Sequence, residues 1–181
     1  MYELSLHILD LIENAIRADA SVISVTITEC PQDDRIEILV EDNGTGLPVA
    51  PENALDPFFT TKEGKRTGLG LSLFRAAAEQ AGGSLVIEKS PLGGVAVRVT
   101  MRLKDIDRKP LGDLAATLSS VVCTNPHLDL WCRFITDNGE CAVRVSDIAK
   151  EFRANERCGL AIARRVSEKI RCGLAAIGSS A

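Results

Sequence analysis

Between residues 21 and 40 the chain alternates apolar and polar positions twice, first in SVISVTIT and then in RIEILV, with Pro31-Gln32-Asp33-Asp34 between the runs. A period of two places the apolar side chains on one face of a strand, and a proline followed closely by aspartates favours a turn. The two runs therefore predict a β-hairpin with one buried face. On either side of it the period changes. Over residues 3–19, Leu4, Ile8, Leu11, Ile12 and Ala15 share one helical stripe, while Asp10, Glu13, Asn14 and Arg17 fall elsewhere. That spacing predicts an amphipathic helix. A second helix is predicted over 69–81 (LGLSLFRAAAEQA), stopped by Gly82 and Gly83. Two more strands, SLVIEKS and VAVRVTMRL, flank a Pro91-Leu92-Gly93-Gly94 turn. Residues 43–67 are rich in Gly, Pro, Thr and charge and have no period. A stretch of that length inside a compact domain is usually a functional loop or lid.

The pattern shifts after residue 105. Residues 106–110, centred on Asp107-Arg108-Lys109-Pro110, read as a linker. Beyond it come a helix over 111–122, strands over 128–136 and 141–145, and helical stretches near 146–153 and 157–176. Asp137-Asn138-Gly139 between the two strands is a strong hairpin signal. The expected organisation is a domain over 1–105 and, over 111–181, a small α+β module or an extension packed on the first sheet.

A formal net charge of −4 argues against a nucleic-acid partner, which would call for a basic face. No apolar run approaches the roughly 20 residues that span a bilayer, and the acidic N-terminal stretch is unlike a secretory signal, so a cytoplasmic location is expected. Six cysteines form no CxxC and stand in no ligand-like spacing to His7 or His127. Most are expected to be small buried hydrophobes; Cys132 and Cys141 are the pair that the second predicted hairpin would bring face to face. Arg153, Arg157, Arg164, Arg165 and Arg171 read as a solvated face.

Four features follow one another in a fixed order. The first helix carries Asp10-Leu11-Ile12-Glu13-Asn14-Ala15, and the hairpin runs into Glu41-Asp42-Asn43-Gly44-Thr45-Gly46. Next come Asp56-Pro57-Phe58-Phe59-Thr60-Thr61-Lys62 and then Arg66-Thr67-Gly68-Leu69-Gly70-Leu71, which opens the second helix. A carboxylate at a strand end followed by Gly-X-Gly lets the backbone turn closely against a flat ligand, and Asp42 would accept a hydrogen bond from an exocyclic amine such as that of adenine. Gly68 and Gly70 stand where a loop becomes a helix N-terminus, whose N–H groups and dipole favour phosphate. Asn14 offers a neutral oxygen to Mg²⁺, which takes few protein ligands beside phosphates and waters. Asp10 lies one helical turn earlier on the same face, placed to orient or deprotonate a nucleophile near a γ-phosphate. Singly, each has a plainer reading: a turn at residues 42–44, glycines that ease packing, solvated Asp10 and Asn14, core phenylalanines, and a solvated charge run at Lys62, Lys65 and Arg66.

Together the four resemble the GHKL superfamily of gyrase, heat-shock chaperone, histidine-kinase and MutL-type ATPases. LIENAIRADA is similar to that family's N box, VEDNGTGLP to its first glycine box, DPFFTTK to its F box and RTGLGLSL to its second glycine box. The last two look most like those of a histidine-kinase catalytic domain. The resemblance covers about residues 3–103. It implies an α/β (α+β) two-layer sandwich, in which a mixed sheet carries helices on one face and ATP lies between helices beneath a mobile lid. It also implies that Asn14 binds Mg²⁺, that Asp42 reads the adenine amino group, and that Gly44 and Gly46 shape the base pocket. Lys62 and the backbone of Thr67, Gly68, Leu69, Gly70 and Leu71 would approach the phosphates; residues 47–67 would form the lid, anchored by Phe58 and Phe59.

Two departures bear on function. The helical hairpin that carries a histidine kinase's phosphoacceptor is not in this sequence, because the first box begins almost at Met1. His7, two turns before Asn14, is expected to be a packing or supporting residue rather than an acceptor. Asp10 occupies the position where the superfamily's ATPases and anti-sigma serine kinases carry a catalytic Glu, and it is one methylene shorter. The leading expectation is a Mg–ATP-binding kinase or ATPase component acting in trans on a separate phosphoacceptor protein. The alternatives are an ATP-hydrolysing conformational switch and an anti-sigma-type partner-binding module with little or no turnover. In each, the C-terminal segment is the expected partner or homodimer surface.

Overall fold

The structure is a computed structural model and describes residues 3–46, 69–153 and 158–179. The N-terminal stripe forms helix α1, Leu4–Arg17. Its N-cap residue, Glu3, makes no side-chain capping bond. Instead the N–H groups of Leu4 and Ser5 donate to the carbonyls of Pro110 and Leu111, both at 2.9 Å, which satisfies two of the donors a helix start leaves open. The stretch expected to be a linker thus passes directly into a backbone clamp on α1.

Strands β1, Val22–Cys30, and β2, Arg35–Asp42, form the expected antiparallel hairpin, with Ile27 opposite Ile38. Helix α2 spans Leu69–Gln80, and strands β3, Ser84–Lys89, and β4, Val95–Arg102, follow. Helix α3, Leu114–Thr124, begins later than its periodicity predicts. Gly112 takes φ 77°, and the Asp113 carboxylate caps the first turn by accepting from the Ala116 N–H at 2.8 Å. The chain closes with β5, Asp129–Thr136, β6, Gly139–Arg144, the short α4, Val145–Glu151, and α5, Gly159–Ile177.

All six strands belong to one sheet, in the order β3-β4-β2-β1-β5-β6. Every pairing is antiparallel except that of β1 with β5, which is parallel and sets Ile23 beside Leu130 and Val25 beside Cys132. The sheet is therefore mixed, and β1 lies inside it. Ile23, Val25 and Ile27 of β1, Ile36 and Ile38 of β2 and Phe134 of β5 share its buried face. Ser24, Thr26, Thr28, Glu37 and Arg98 stand on the other face, partly exposed. The helices cover the apolar face, giving the two-layer α/β architecture. Each fully buried Leu or Ile side chain contributes about 1.5–3 kcal/mol, and Val166 and Ile170 of α5 are as completely enclosed as Ile8 and Ile12 of α1.

The cysteines overturn one expectation. Only Cys132 is buried; Cys123 and Cys172 are exposed because α3 and α5 turn those positions outward, and Cys158, the N-cap residue of α5, is exposed as well. Burial pushes the Cys132 thiol up to about 12. Cys132 lies opposite Val143 and Cys141 opposite Phe134, so the two are diagonal across the hairpin rather than face to face, and all six thiols are free. On α5, Arg165 pairs with Glu151 and Glu168, and Arg171 pairs with Asp113. These are surface contacts of small energetic weight.

Candidate functional site

Two small clusters form at the C-terminal half of α1. In the first, Asn14 and Asp10 meet along one helix face, and Asn14 Nδ2 donates to Asp10 Oδ2 at 3.2 Å. Asn14 Oδ1 in turn accepts from Arg17 Nη2 at 2.5 Å. The first turn of α2 abuts this pair: a Cβ on Gly70 would lie 1.6 Å from Asp10 Oδ2. The approach uses the missing Cβ of glycine, so the first turn of α2 is brought against the Asp10 carboxylate.

The second cluster surrounds Asp42, which is 7% exposed. Its Oδ1 accepts from the Gly44 N–H at 2.8 Å and the Val95 N–H at 3.2 Å. Oδ2 has no hydrogen bond among the described residues, so the carboxylate is fixed in orientation with one oxygen left as an acceptor. Gly94 makes this arrangement possible, since a Cβ there would lie 2.0 Å from Asp42 Oδ1 and 2.7 Å from the Gly44 nitrogen.

Ala18 joins the clusters. Its N–H donates to the Asn14 carbonyl at 3.1 Å, and its own carbonyl accepts from the Thr45 N–H at 2.9 Å. Asn43 adds a staple: its Oδ1 accepts from the N–H groups of Ser21 and Val22, both at 2.9 Å, and its Nδ2 donates to Ser21 Oγ at 3.0 Å. The end of α1, the start of β1 and the end of β2 are therefore one hydrogen-bonded unit.

The structure thus brings Asp10, Asn14 and Gly70 together, and separately Asp42 and Gly44. Gly46 follows with φ 85°. Leu69 opens α2, and Leu71 packs against the core. Phe58, Phe59, Lys62, Thr67, Gly68 and the expected lid lie outside the described residues. The sequence reading missed Asn43, Ala18, Gly94 and Val95. For Gly94 a signal existed in the doubled glycine before β4, which reads first as a turn. For the two backbone groups there was none, because any residue supplies an N–H or a carbonyl.

His7 lies one turn before Asp10. Its ring stacks on Phe74 of α2, with centroids 4.6 Å apart and planes inclined by 14°. It is 3% exposed, and Nδ1 has no hydrogen-bond partner among the described residues. Burial lowers its pKa to about 4, with Asp10 pulling in the opposite direction. The ring is neutral at pH 7.

A helix-covered mixed sheet, with a fixed carboxylate at a strand end and a glycine-opened helix against an Asp–Asn pair, defines a two-layer α/β fold of the ATPase kind. A family model described as "Histidine kinase-, DNA gyrase B-, and HSP90-like ATPase" matches residues 3–105, and the chain belongs to that family. It is homologous to the corresponding part of sensor kinases. Sensor protein CitS of Halalkalibacterium halodurans is 34% identical over 99 residues, covering 51% of this chain and 18% of CitS. Sensor kinase CckA of Brucella abortus is 40% identical over 73 residues, covering 39% of this chain and 8% of CckA. The match therefore spans less than a fifth of either relative. Among solved structures, the Aquifex aeolicus MutL ATPase domain complexed with ADP aligns over 93% of this chain and 70% of its own, with TM-score 0.51 and 16% identity. The N-terminal domain of a DNA repair protein aligns over 86% and 58%, with TM-score 0.50 and 14% identity. These two likenesses concern the fold. Among the described residues no helix is long and apolar enough to cross a membrane.

Proposed function

We propose that this chain binds Mg–ATP and serves as a histidine-kinase-like catalytic component acting in trans on a separate protein. The observation that carries the reading is Asp42, a nearly buried carboxylate held by two backbone N–H groups with its second oxygen unpaired among the described residues. Such an acceptor suits the exocyclic amine of adenine; Gly44, packed tightly on Ala18, and Gly46, open and at φ 85°, would shape the backbone around a flat base. The N-terminal turn of α2, from Leu69 through Gly70 and Leu71, would receive phosphate, together with Thr67, Gly68 and Lys62. Phe58 and Phe59 would anchor the lid.

The donor set fits the ion that the family implies. Asn14 presents a neutral carboxamide one turn from Asp10, and among the described residues its Oδ1 is engaged by the exposed Arg17. Mg²⁺ takes most of its ligands from phosphates and waters, so a single carboxamide oxygen would be a sufficient protein contribution. When bound, Mg²⁺ neutralises phosphate charge. Asp10, held by Asn14, would take the proton from the attacking hydroxyl or water.

Calorimetry with Mg–ATP on wild type and Asp42→Asn is the first test. Loss of a hydrogen bond to a charged acceptor predicts at least about tenfold weaker binding in the variant. Equal binding would remove Asp42 from the site. Transfer of labelled phosphate from ATP to a partner protein would then establish the trans-acting kinase.

A second reading, the ATP-dependent switch, is favoured by one observation. The start of β1, stapled by Asn43, is also the parallel neighbour of β5, so the site and the C-terminal elements share a strand. Phosphate release abolished by Asp10→Asn with ATP binding retained, and no acceptor labelled, would select the switch.

A further inference from the structure

Resting on the nucleotide reading, we propose that His7 is a positioning residue, whose stack on Phe74 sets the gap between α1 and the first turn of α2 where phosphates would bind. The distance between packed helices is set by the side chains at their contact. At this contact two flat rings lie face to face, at 4.6 Å and 14°. Asp10 is three residues after His7 on α1, and Gly70 is four residues before Phe74 on α2. The stack and the Asp10–Gly70 contact are therefore successive rungs of one helix interface, a single turn apart.

The other supports of this interface are rigid. The backbone clamp from Pro110 and Leu111 holds the start of α1, and Leu4, Ile8 and Phe74 are fully enclosed. With α1 fixed from behind, the thickness of the His7–Phe74 pair decides how closely Gly70 approaches Asp10. A branched aliphatic pair would hold the helices apart, and a small residue would let α2 tilt inward.

The imidazole fills this place at a cost, because its Nδ1 is buried without a partner among the described residues. An apolar ring would avoid that penalty, so hydrogen bonding within the described core does not account for His7. The ring is flat and smaller than Phe, and shape is what the contact uses. Its effect belongs to the phosphate end of the site. The Asp42 cluster is held through Ala18, Asn43 and Gly94, and among the described residues none of its hydrogen bonds runs to either ring.

The test separates the two ends of the ligand. Dissociation constants for Mg–ATP and for adenosine are measured on the full chain as wild type, His7→Ala and His7→Phe. The expected result is about tenfold weaker Mg–ATP binding in His7→Ala, of the order that small misplacements of a binding group cause. Adenosine should stay within about twofold of wild type, and His7→Phe should restore most of the Mg–ATP affinity. Unchanged Mg–ATP binding in His7→Ala, or a parallel loss of both ligands, would overturn the proposal. Phe74→Leu repeats the test from the opposite helix if His7→Ala fails to fold. A wild type that binds neither ligand would overturn the nucleotide reading itself, and a wild type that binds both alongside an indifferent His7→Ala would overturn only this inference.

Discussion

At the scale of single residues, the site depends on what is missing from side chains as much as on what is present. Gly94 has no Cβ because Asp42 Oδ1 and the Gly44 nitrogen already occupy that space. Gly94→Ala is expected to turn the Asp42 carboxylate away and to weaken Mg–ATP binding at least about tenfold. Overpacking of this kind also costs about 1–3 kcal/mol of stability. Paired calorimetric titrations and melts would check both effects. Asp42 and Asn14 are legible in the sequence because polar residues at a strand end and on a helix face stand out against their apolar neighbours. Gly94 and Asn43 are harder to read: their role is to hold Asp42 and the start of β1, and that geometry exists only after four segments have met. His7 makes a further prediction. Its folded pKa is about 4, against 6.5 unperturbed, so the unfolded chain takes up the proton first as pH falls. The stability this residue contributes is complete above about pH 6.5 and is lost as pH drops through about 4. Melting curves of wild type should therefore fall more steeply with acid across that window than those of His7→Phe. Parallel curves would show that His7 does not titrate as its burial requires.

Among the elements, those near the N-terminus were readable because each period was clean. The alternation in SVISVTIT and RIEILV has a single solution, an antiparallel hairpin with Ile27 opposite Ile38. Helix α3 was placed early, since periodicity sees apolar spacing but not the backbone turn at Gly112 that delays its start. Its cap gives the prediction at this scale. Asp113→Ala removes the acceptor for the Ala116 N–H and should cost about 1 kcal/mol, and the melting temperature should drop by about 2–4 °C. Asp113→Asn should keep most of it. If Asn and Ala behaved alike, the exposed pair with Arg171 rather than the cap would be the source of the effect. The cysteines show the limit of composition: a thiol is small enough to suit either face of a helix, so its residue type alone does not reveal that Cys123 and Cys172 face outward.

For the whole molecule, the parallel pairing of β1 with β5 is what no local pattern announces, because a period of two says that a segment is a strand but not which strand lies beside it. That pairing, and the clamp of Pro110 and Leu111 on α1, make the later residues part of the sheet that holds the site. A chain ending at Asp105 is therefore expected to melt well below the full chain, under the roughly 45 °C that bounds ordinary mesophilic domains. Unchanged melting would show that the first 105 residues stand alone. The same pairing governs how the protein comes into being. Ile23 must wait for Leu130, about a hundred residues further along the chain, before β1 gains its second neighbour. A ribosome adding about 5–20 residues per second takes several seconds or more to supply them. Throughout that interval one edge of β1 has no neighbour, so the growing chain is most exposed to mispairing at the strand where its finished form is most deeply set.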